Sequence, residues 1–170
     1  MKWMLTLLTI FSISCTSNKG PGSTGPDLNP TEFFAGNLFA SGYLKNRSGE
    51  VIRTFNADIV GIIKGDDFIL KEDFTFNDGE KQFREWTFSK QKDGSYSAEA
   101  NDVTGKGKAI IYDNYMDLDY VLRINHKGDE IDIPIKDKIV LTAPNILIAE
   151  SKMTKYGLDV GTIHLVMIKK

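Results

Sequence analysis

Residues 68–88 read FILKEDFTFNDGEKQFREWTF, and this stretch decides the fold. On both sides of Asn77-Asp78-Gly79, large apolar side chains recur at every second position, which is the period of a strand with one buried face. A three-residue turn with Gly79 at positive φ would join the two runs into an antiparallel hairpin. The segment therefore predicts two strands that share an aromatic face.

The turn also predicts which residues lie opposite each other in this hairpin. With Asp78 at its centre, Glu72 lies opposite Arg84, and Trp86 follows on the same face. A two-residue turn would place Glu72 opposite Glu85, which like-charge repulsion disfavours. The sequence therefore predicts an ion pair between Glu72 and Arg84 on an aromatic face. It is either a structural pair of the interior or a polar point that orients a ligand.

Short alternating segments rich in Ile, Val, Phe, Tyr and Thr continue from residue 38 to the C-terminus, and turn signals at hairpin spacing separate them. Helical patterns of about ten residues or more are absent after Phe34. This predicts an all-β fold, an antiparallel up-and-down barrel of about eight to ten strands. A two-sheet sandwich is the alternative, but it needs longer crossing connections than these gaps supply.

A short helix is predicted just before the first strand. Asn29 provides a capping side chain, Pro30 suits the first helical position, and Glu32 occupies the third. Phe33 and Phe34 would form its apolar face. The alternative is a plain turn into the first strand.

The N-terminal segment has the pattern of a bacterial lipoprotein signal. Lys2 gives it a positive start, residues 3–13 are apolar but too few to span a bilayer, and Ser14 precedes Cys15, the only cysteine. In that resemblance Cys15 becomes the first mature residue and carries acyl chains such as palmitate, which anchor the domain to a membrane. Secretion with an unmodified Cys15 and a buried, structural N-terminus are the alternatives. Ser17, in place of the Asp that resembles an inner-membrane retention signal, favours the outer membrane facing the periplasm.

Length and composition limit the number of domains and the classes of partner. The predicted segments are a signal peptide at 1–14, an acylated cysteine and flexible tether at 15–30, and one barrel domain at 31–170. Loss of Lys2 from the 21 basic residues would leave 20 against 23 acidic ones, a net charge of −3. Such a chain is not typical of nucleic-acid-binding proteins. The expected partners are the membrane through the lipid anchor, a small apolar ligand, and an envelope protein of unknown identity.

Several short motifs occur in an order and spacing that resemble a known family. They are Glu32-Phe33-Phe34-x-Gly36, Arg47-Ser48-Gly49, Glu72-Asp73-Phe74, Asp78-Gly79-Glu80, Arg84-x-Trp86, Ala100-x-Asp102-Val103-x-Gly105 and Met153-x-Lys155-Tyr156-Gly157. Together they resemble a bacterial lipoprotein family, domain of unknown function 3833, with a lipocalin-like barrel. The resemblance implies the fold and the location in the cell envelope. It implies no activity.

Six residues are candidates for binding a ligand: Glu72, Arg84, Trp86, Tyr120, Asp102 and Tyr156. Asp102 ends a strand, where an Asp commonly binds backbone N–H groups of the following turn, so a turn role is its alternative. Tyr156 similarly precedes a glycine at a turn, and its phenol would otherwise close the barrel mouth.

Catalytic patterns are missing from the sequence. His126 and His164 stand in no metal-ligand spacing, and no Gly-x-Ser-x-Gly motif is present. We therefore expect a protein that is not an enzyme, without cofactor, metal or catalytic residues. The expected function is binding of a small apolar or amphipathic, lipid-like molecule by an envelope lipoprotein. The alternative is a structural or interaction lipoprotein with a solidly packed barrel. A cavity of about 300 Å³ or more would favour the ligand.

Overall fold

The computed structural model describes residues 25–126 and 128–170 of the chain. The predicted signal peptide, Cys15 and most of the predicted tether therefore lie outside the described residues. Within the described part, no helix is long and apolar enough to span a membrane.

One short helix and ten strands form the described fold. The helix is α1 (Pro30–Phe33), and the strands are β1 (Gly36–Asn46), β2 (Val51–Lys64), β3 (Asp67–Phe76), β4 (Lys81–Lys90), β5 (Tyr96–Ala100), β6 (Gly107–Tyr112), β7 (Tyr115–His126), β8 (Asp129–Ala143), β9 (Ile146–Lys155) and β10 (Leu158–Lys169). The all-β prediction is confirmed, and the number of strands lies at the upper end of the predicted range.

The strands close into one barrel. Each strand pairs antiparallel with the next one in the chain, and β1 also pairs with β10, so the sheet closes on itself. The predicted up-and-down barrel is confirmed. The sandwich alternative is wrong, because the turns between successive strands are too short to cross from one sheet to another.

The hairpin of β3 and β4 has the predicted register and turn. Glu72 lies opposite Arg84. The N–H of Phe76 donates to the carbonyl oxygen of Glu80 at 2.9 Å, which closes a three-residue turn. Gly79 within that turn has a φ of 85°, a conformation that glycine adopts without steric cost.

The helix α1 covers one end of the barrel, here called the helix end. The Leu28 N–H, just before α1, donates to Asp113 O in the β6–β7 turn at 2.6 Å. Inside this end, the ring of Phe34 stacks on Phe68 with centroids 5.2 Å apart, and Phe68 stacks on Phe88 at 4.4 Å. These buried rings fill the interior next to α1. The β1–β2, β3–β4, β5–β6, β7–β8 and β9–β10 turns lie at the opposite end, the hairpin end.

The helix prediction is confirmed, but the predicted capping contact is wrong. Asn29 stands at the N-cap and its side chain makes no capping hydrogen bond. The N–H groups of Glu32 and Phe33 instead donate to the carbonyl oxygen of Asn29, at 3.2 and 2.9 Å. The Asn29 side chain accepts a hydrogen bond from the Thr31 hydroxyl at 3.0 Å. In this one-turn helix the backbone carbonyl satisfies the groups that a cap would bind.

Gly61 in β2 allows α1 to close the barrel tightly. A Cβ atom at this position would lie 1.5 Å from the carbonyl oxygen of Phe34. Any other residue would push the segment that follows α1 away from the sheet. The glycine is therefore required by close approach of the backbone.

Candidate ligand-binding site in the barrel lumen

A cavity of about 160 Å³ lies in the barrel interior, between the aromatic layer of the helix end and the hairpin end. Its walls are mostly apolar, with Phe34, Trp86 and Phe88 on one side and Phe55, Phe74 and Phe76 towards the hairpin end. The polar side chains that line it are Glu72, Gln82, Arg84, Tyr120, Asp137 and Ser151. An apolar cavity with a few convergent polar groups is the usual form of a small-molecule site.

Arg84 forms a largely buried ion pair with Asp102, and the two side chains are 17 % and 11 % exposed. The Nε of Arg84 donates to Oδ1 and Oδ2 of Asp102 at 3.0 and 2.8 Å, and Nη2 donates to Oδ2 at 2.6 Å. Gln82 donates to the same carboxylate at 3.3 Å. The predicted ion pair of Arg84 with Glu72 is therefore wrong, although the register is right. The β5–β6 turn brings Asp102 to the end of the long Arg84 side chain, where it binds the guanidinium group in a forked geometry.

Glu72 is left in the lumen without a direct partner. It is 7 % exposed, and among residues 25–126 and 128–170 it has neither a hydrogen bond nor an ion pair. Burial raises the pKa of its carboxyl group to about 7. Arg84 opposes this rise, whereas Asp102 and Asp137 add to it through charge repulsion.

Asp137 in β8 is a second carboxyl group at this level of the barrel. It lies opposite Leu118 in β7 and Ser151 in β9. Its Oδ1 is buried and has no hydrogen-bond partner among the described residues. Burial raises the pKa of Asp137 to about 7, while the Ser151 hydroxyl, Arg84 and the Tyr120 hydroxyl lower it.

Aromatic rings surround these polar groups. Trp86 and Tyr120 meet edge to face with centroids 5.1 Å apart. The guanidinium carbon of Arg84 lies 5.6 Å from the Phe74 ring centroid and 5.9 Å from that of Trp86. Burial raises the pKa of Tyr120 well above its ordinary value, and the negative charge of Asp137 adds to this rise. Tyr120 therefore remains a neutral hydroxyl group at the cavity wall.

The structure brings most of the predicted site residues together. Glu72, Arg84, Trp86 and Tyr120 line the cavity, and Asp102 holds Arg84 in place. Tyr156 does not join them, because its side chain is 92 % exposed at the β9–β10 turn.

Asp137 and Ser151 are site residues that the sequence reasoning missed. A signal for Asp137 was present, because it continues the alternation of Ile131, Ile133 and Ile135 in β8 and must point inward with them. Ser151 gives no comparable signal, since a serine in a strand is compatible with either face.

The described residues give no sign of a metal centre. Among them, no group of three or more His, Cys, Asp or Glu side chains could hold a metal ion. His164 lies in β10, and its Nδ1 is 3.9 Å from Glu150, a half-exposed residue of β9. His126 ends β7 at the hairpin end.

A family model described as "Protein of unknown function (DUF3833)" matches residues 7–169. The chain belongs to this family. The resemblance inferred from the spaced motifs is therefore confirmed. No curated protein matches the chain by sequence.

Solved structures with the same kind of barrel include an S-type phycobiliprotein lyase from Guillardia theta. It shares 12 % identity with this family member over 82 % of this chain and 90 % of the lyase, with a TM-score of 0.59. A redesigned β-barrel, mFAP0, bound to DFHBI, shares 9 % identity over 81 % of this chain and 99 % of its own, with a TM-score of 0.45. The likeness to the lyase shows the fold, a lipocalin-like barrel.

Proposed function

We propose that this protein is a lipid-anchored envelope lipoprotein whose barrel binds a small amphipathic molecule in its lumen, without catalysis. The observation that carries the proposal is the combination of an apolar cavity with buried polar groups that the protein itself leaves unsatisfied. Glu72 and Asp137 Oδ1 lack hydrogen-bond partners among the described residues. Buried polar groups are normally paired, so such groups at a cavity wall favour a bound partner.

The volume limits the size of the ligand. The cavity of about 160 Å³ lies below the roughly 300 Å³ at which ordinary ligand pockets begin. An apolar cavity of about 150 Å³ accommodates a benzene molecule. We therefore infer that one ring or a short aliphatic group enters the lumen. A long acyl chain enclosed in full does not fit this volume.

The same small volume favours a second candidate function. The interior next to α1 is filled by stacked rings of Phe34, Phe68 and Phe88. A barrel filled in this way suits a structural or interaction lipoprotein that docks an envelope partner through its outer face or loops. This alternative predicts that no small molecule copurifies with the protein.

The anchoring part of the proposal comes from the sequence pattern around Cys15. Gly25, the first described residue, lies close to the carbonyl oxygen of Leu141 at the helix end. The hairpin end, where Phe76 and Gln82 are partly exposed, would be the entrance to the lumen.

Native mass spectrometry of protein purified from its own envelope tests the binding function. We expect a noncovalent adduct of low mass that is lost on denaturation. Ala149→Leu should remove the adduct, because Ala149 lines the cavity and the larger side chain would occupy it. Ile148→Leu is the matched control, since Ile148 is the adjacent β9 residue and points to the outside. Protein without an adduct, or an adduct that Ala149→Leu retains, would support the packed-barrel alternative.

A further inference from the structure

The charges in the lumen do not balance. Arg84 is the only cationic side chain among the described residues that line the cavity. Its guanidinium group is already bound by Asp102, through contacts of 2.6 to 3.0 Å. Glu72 and Asp137 are two further carboxyl groups. Arg84 lowers the pKa of both through its charge, but its direct ion pair is with Asp102, so one cation serves three carboxyl groups. The site therefore has no free positive charge for an anionic ligand.

The two carboxyl groups lie on opposite walls. Glu72 is in β3 and Asp137 is in β8, five strands apart in either direction around the ten-stranded barrel. Both line the same cavity. A carboxyl group buried without a partner is costly unless it keeps its proton or gains a cation. Burial raises the pKa of both Glu72 and Asp137 to about 7, so each carboxyl group keeps its proton at acidic pH and loses it above neutral pH.

The walls between these groups suit a cation. The faces of aromatic rings attract an ammonium or guanidinium group, and more strongly where water is excluded. Phe74 and Trp86 already contact Arg84 in this way. No cluster of metal ligands occurs among residues 25–126 and 128–170, so the geometry favours an organic cation.

We propose that the lumen binds a protonated organic amine, with its ammonium group between Glu72 and Asp137 and one ring or short chain in the apolar part of the cavity. This inference rests on the proposed binding function and names its ligand class. Fatty acids and other carboxylates should bind weakly, because the carboxyl groups of Glu72 and Asp137 would repel their negative charge.

Three probes of similar size separate the charge of the ligand from its apolar part: 2-phenylethylamine, 2-phenylethanol and phenylacetate. Trp86 reports on the lumen, because the only other tryptophan is Trp3 in the predicted signal peptide. A Trp3→Phe background of the full chain makes the fluorescence signal specific to Trp86. At pH 8 we expect the amine to bind at least about ten-fold more tightly than the alcohol, and phenylacetate to bind most weakly.

Variants assign this preference to the lumen. Glu72→Gln should weaken binding of the amine by about ten-fold and leave the alcohol unchanged, since it removes one charge and keeps the shape. Glu85→Gln is the matched control. Glu85 is in the same hairpin, points outward and lies 3.5 Å from Lys71. This control should bind all three probes like the parent chain.

Lower pH should have the same effect as Glu72→Gln. Besides Glu72 and Asp137, the charged or titratable groups around the site are Arg84, Asp102, Tyr120 and, acting on Asp137 from β7, Asp119. Arg84 and Tyr120 keep their charge states between pH 5.5 and 8, because their pKa values are raised from already high values. We expect the affinity for the amine to fall by about ten-fold or more from pH 8 to 5.5, while that for the alcohol stays constant.

The outcomes separate this inference from the proposed function. Equal binding of alcohol and amine, tighter binding of phenylacetate, or an amine affinity that Glu72→Gln does not change would overturn the amine proposal while leaving lumen binding intact. If none of the probes changes Trp86 fluorescence at about 10 mM and no adduct copurifies from the envelope, both proposals fail.

Discussion

Replacing Glu72 with Gln should make the protein more stable at neutral and alkaline pH. In the folded protein the Glu72 carboxyl is buried without a direct partner, and burial raises its pKa to about 7. Gln has nearly the same shape and carries no charge at any pH. The variant therefore escapes the free-energy cost of ionising a buried carboxyl group.

The size of the effect follows from the two pKa values. The pKa of Glu72 rises from an ordinary 4.5 to about 7 on folding. In this interval the folded protein binds more protons than the unfolded chain, so the free energy of unfolding falls as pH rises. At about 1.4 kcal/mol for each unit of difference, the wild type loses roughly 3 kcal/mol between pH 4.5 and 7 through Glu72. Above pH 7 the loss is complete.

Urea unfolding between pH 4 and 8 measures this directly. The stability of Glu72→Gln minus that of the wild type should be constant below about pH 4.5, rise by roughly 3 kcal/mol up to pH 7, and then level off. The contribution of Asp137 is present in both proteins and largely cancels. Glu85→Gln, an exposed change in the same hairpin, should follow the wild type at every pH. A difference that does not vary with pH, or a variant less stable than the wild type at pH 8, would refute the reasoning.

Three further predictions concern the ion pair, the helix contact and the anchor. Asp102→Ala should lower the free energy of unfolding by about 3 kcal/mol, because it leaves the largely buried Arg84 charge without its direct partner. Asp132→Ala breaks an exposed Arg–Asp pair and should cost about 1 kcal/mol or less. Equal losses in urea unfolding would contradict the burial of the first pair. Gly61→Ala should lower the free energy of unfolding by about 1–3 kcal/mol in the same assay, because its Cβ would lie 1.5 Å from the carbonyl oxygen of Phe34. An unchanged stability would mean that the segment after α1 moves freely. Cys15→Ala should release the protein from the membrane fraction or leave the precursor uncleaved, and tight membrane association of the variant would disprove the lipid anchor.

The β3–β4 hairpin shows why much of the fold could be predicted from the sequence. Alternation at every second residue identifies both strands, and the turn at Asp78 alone fixes which residues pair. Both signals are local and need no knowledge of the rest of the chain. Closure of the barrel depends on pairing of β1 with β10, which are distant in sequence. In the sequence, only the short connections between successive strands indicated that the barrel closes.

Side-chain partners could be predicted less well than strand partners. Register places Glu72 opposite Arg84, but it does not limit where a long, flexible side chain directs its charge. Arg84 reaches Asp102, which lies in the β5–β6 turn and has no fixed offset from β4 in the sequence. The alternation of β8 would have placed Asp137 in the interior, because the face on which a residue lies is a local property. That Glu72 and Asp137 share one cavity could be known only from the closed barrel.

The free-energy cost of burying Glu72 and Asp137 is linked to binding of the proposed ligand, because a bound cation would compensate their charges. A solidly packed barrel would gain stability from apolar residues at 72 and 137. Elsewhere in the same interior, stacked rings of Phe68 and Phe88 fill the space in this way. Sequences break such packing rules mainly at functional sites.

If an amine and protons compete for Glu72 and Asp137, the amine should stabilise the fold chiefly where both carboxyl groups can ionise. We expect a fixed concentration of 2-phenylethylamine to raise the urea midpoint clearly at pH 8 and very little at pH 5.5. The neutral 2-phenylethanol should give the same small increase at both pH values. Equal stabilisation by the amine at both pH values would mean that it binds without displacing these protons, and the link between the buried charges and the ligand would be lost.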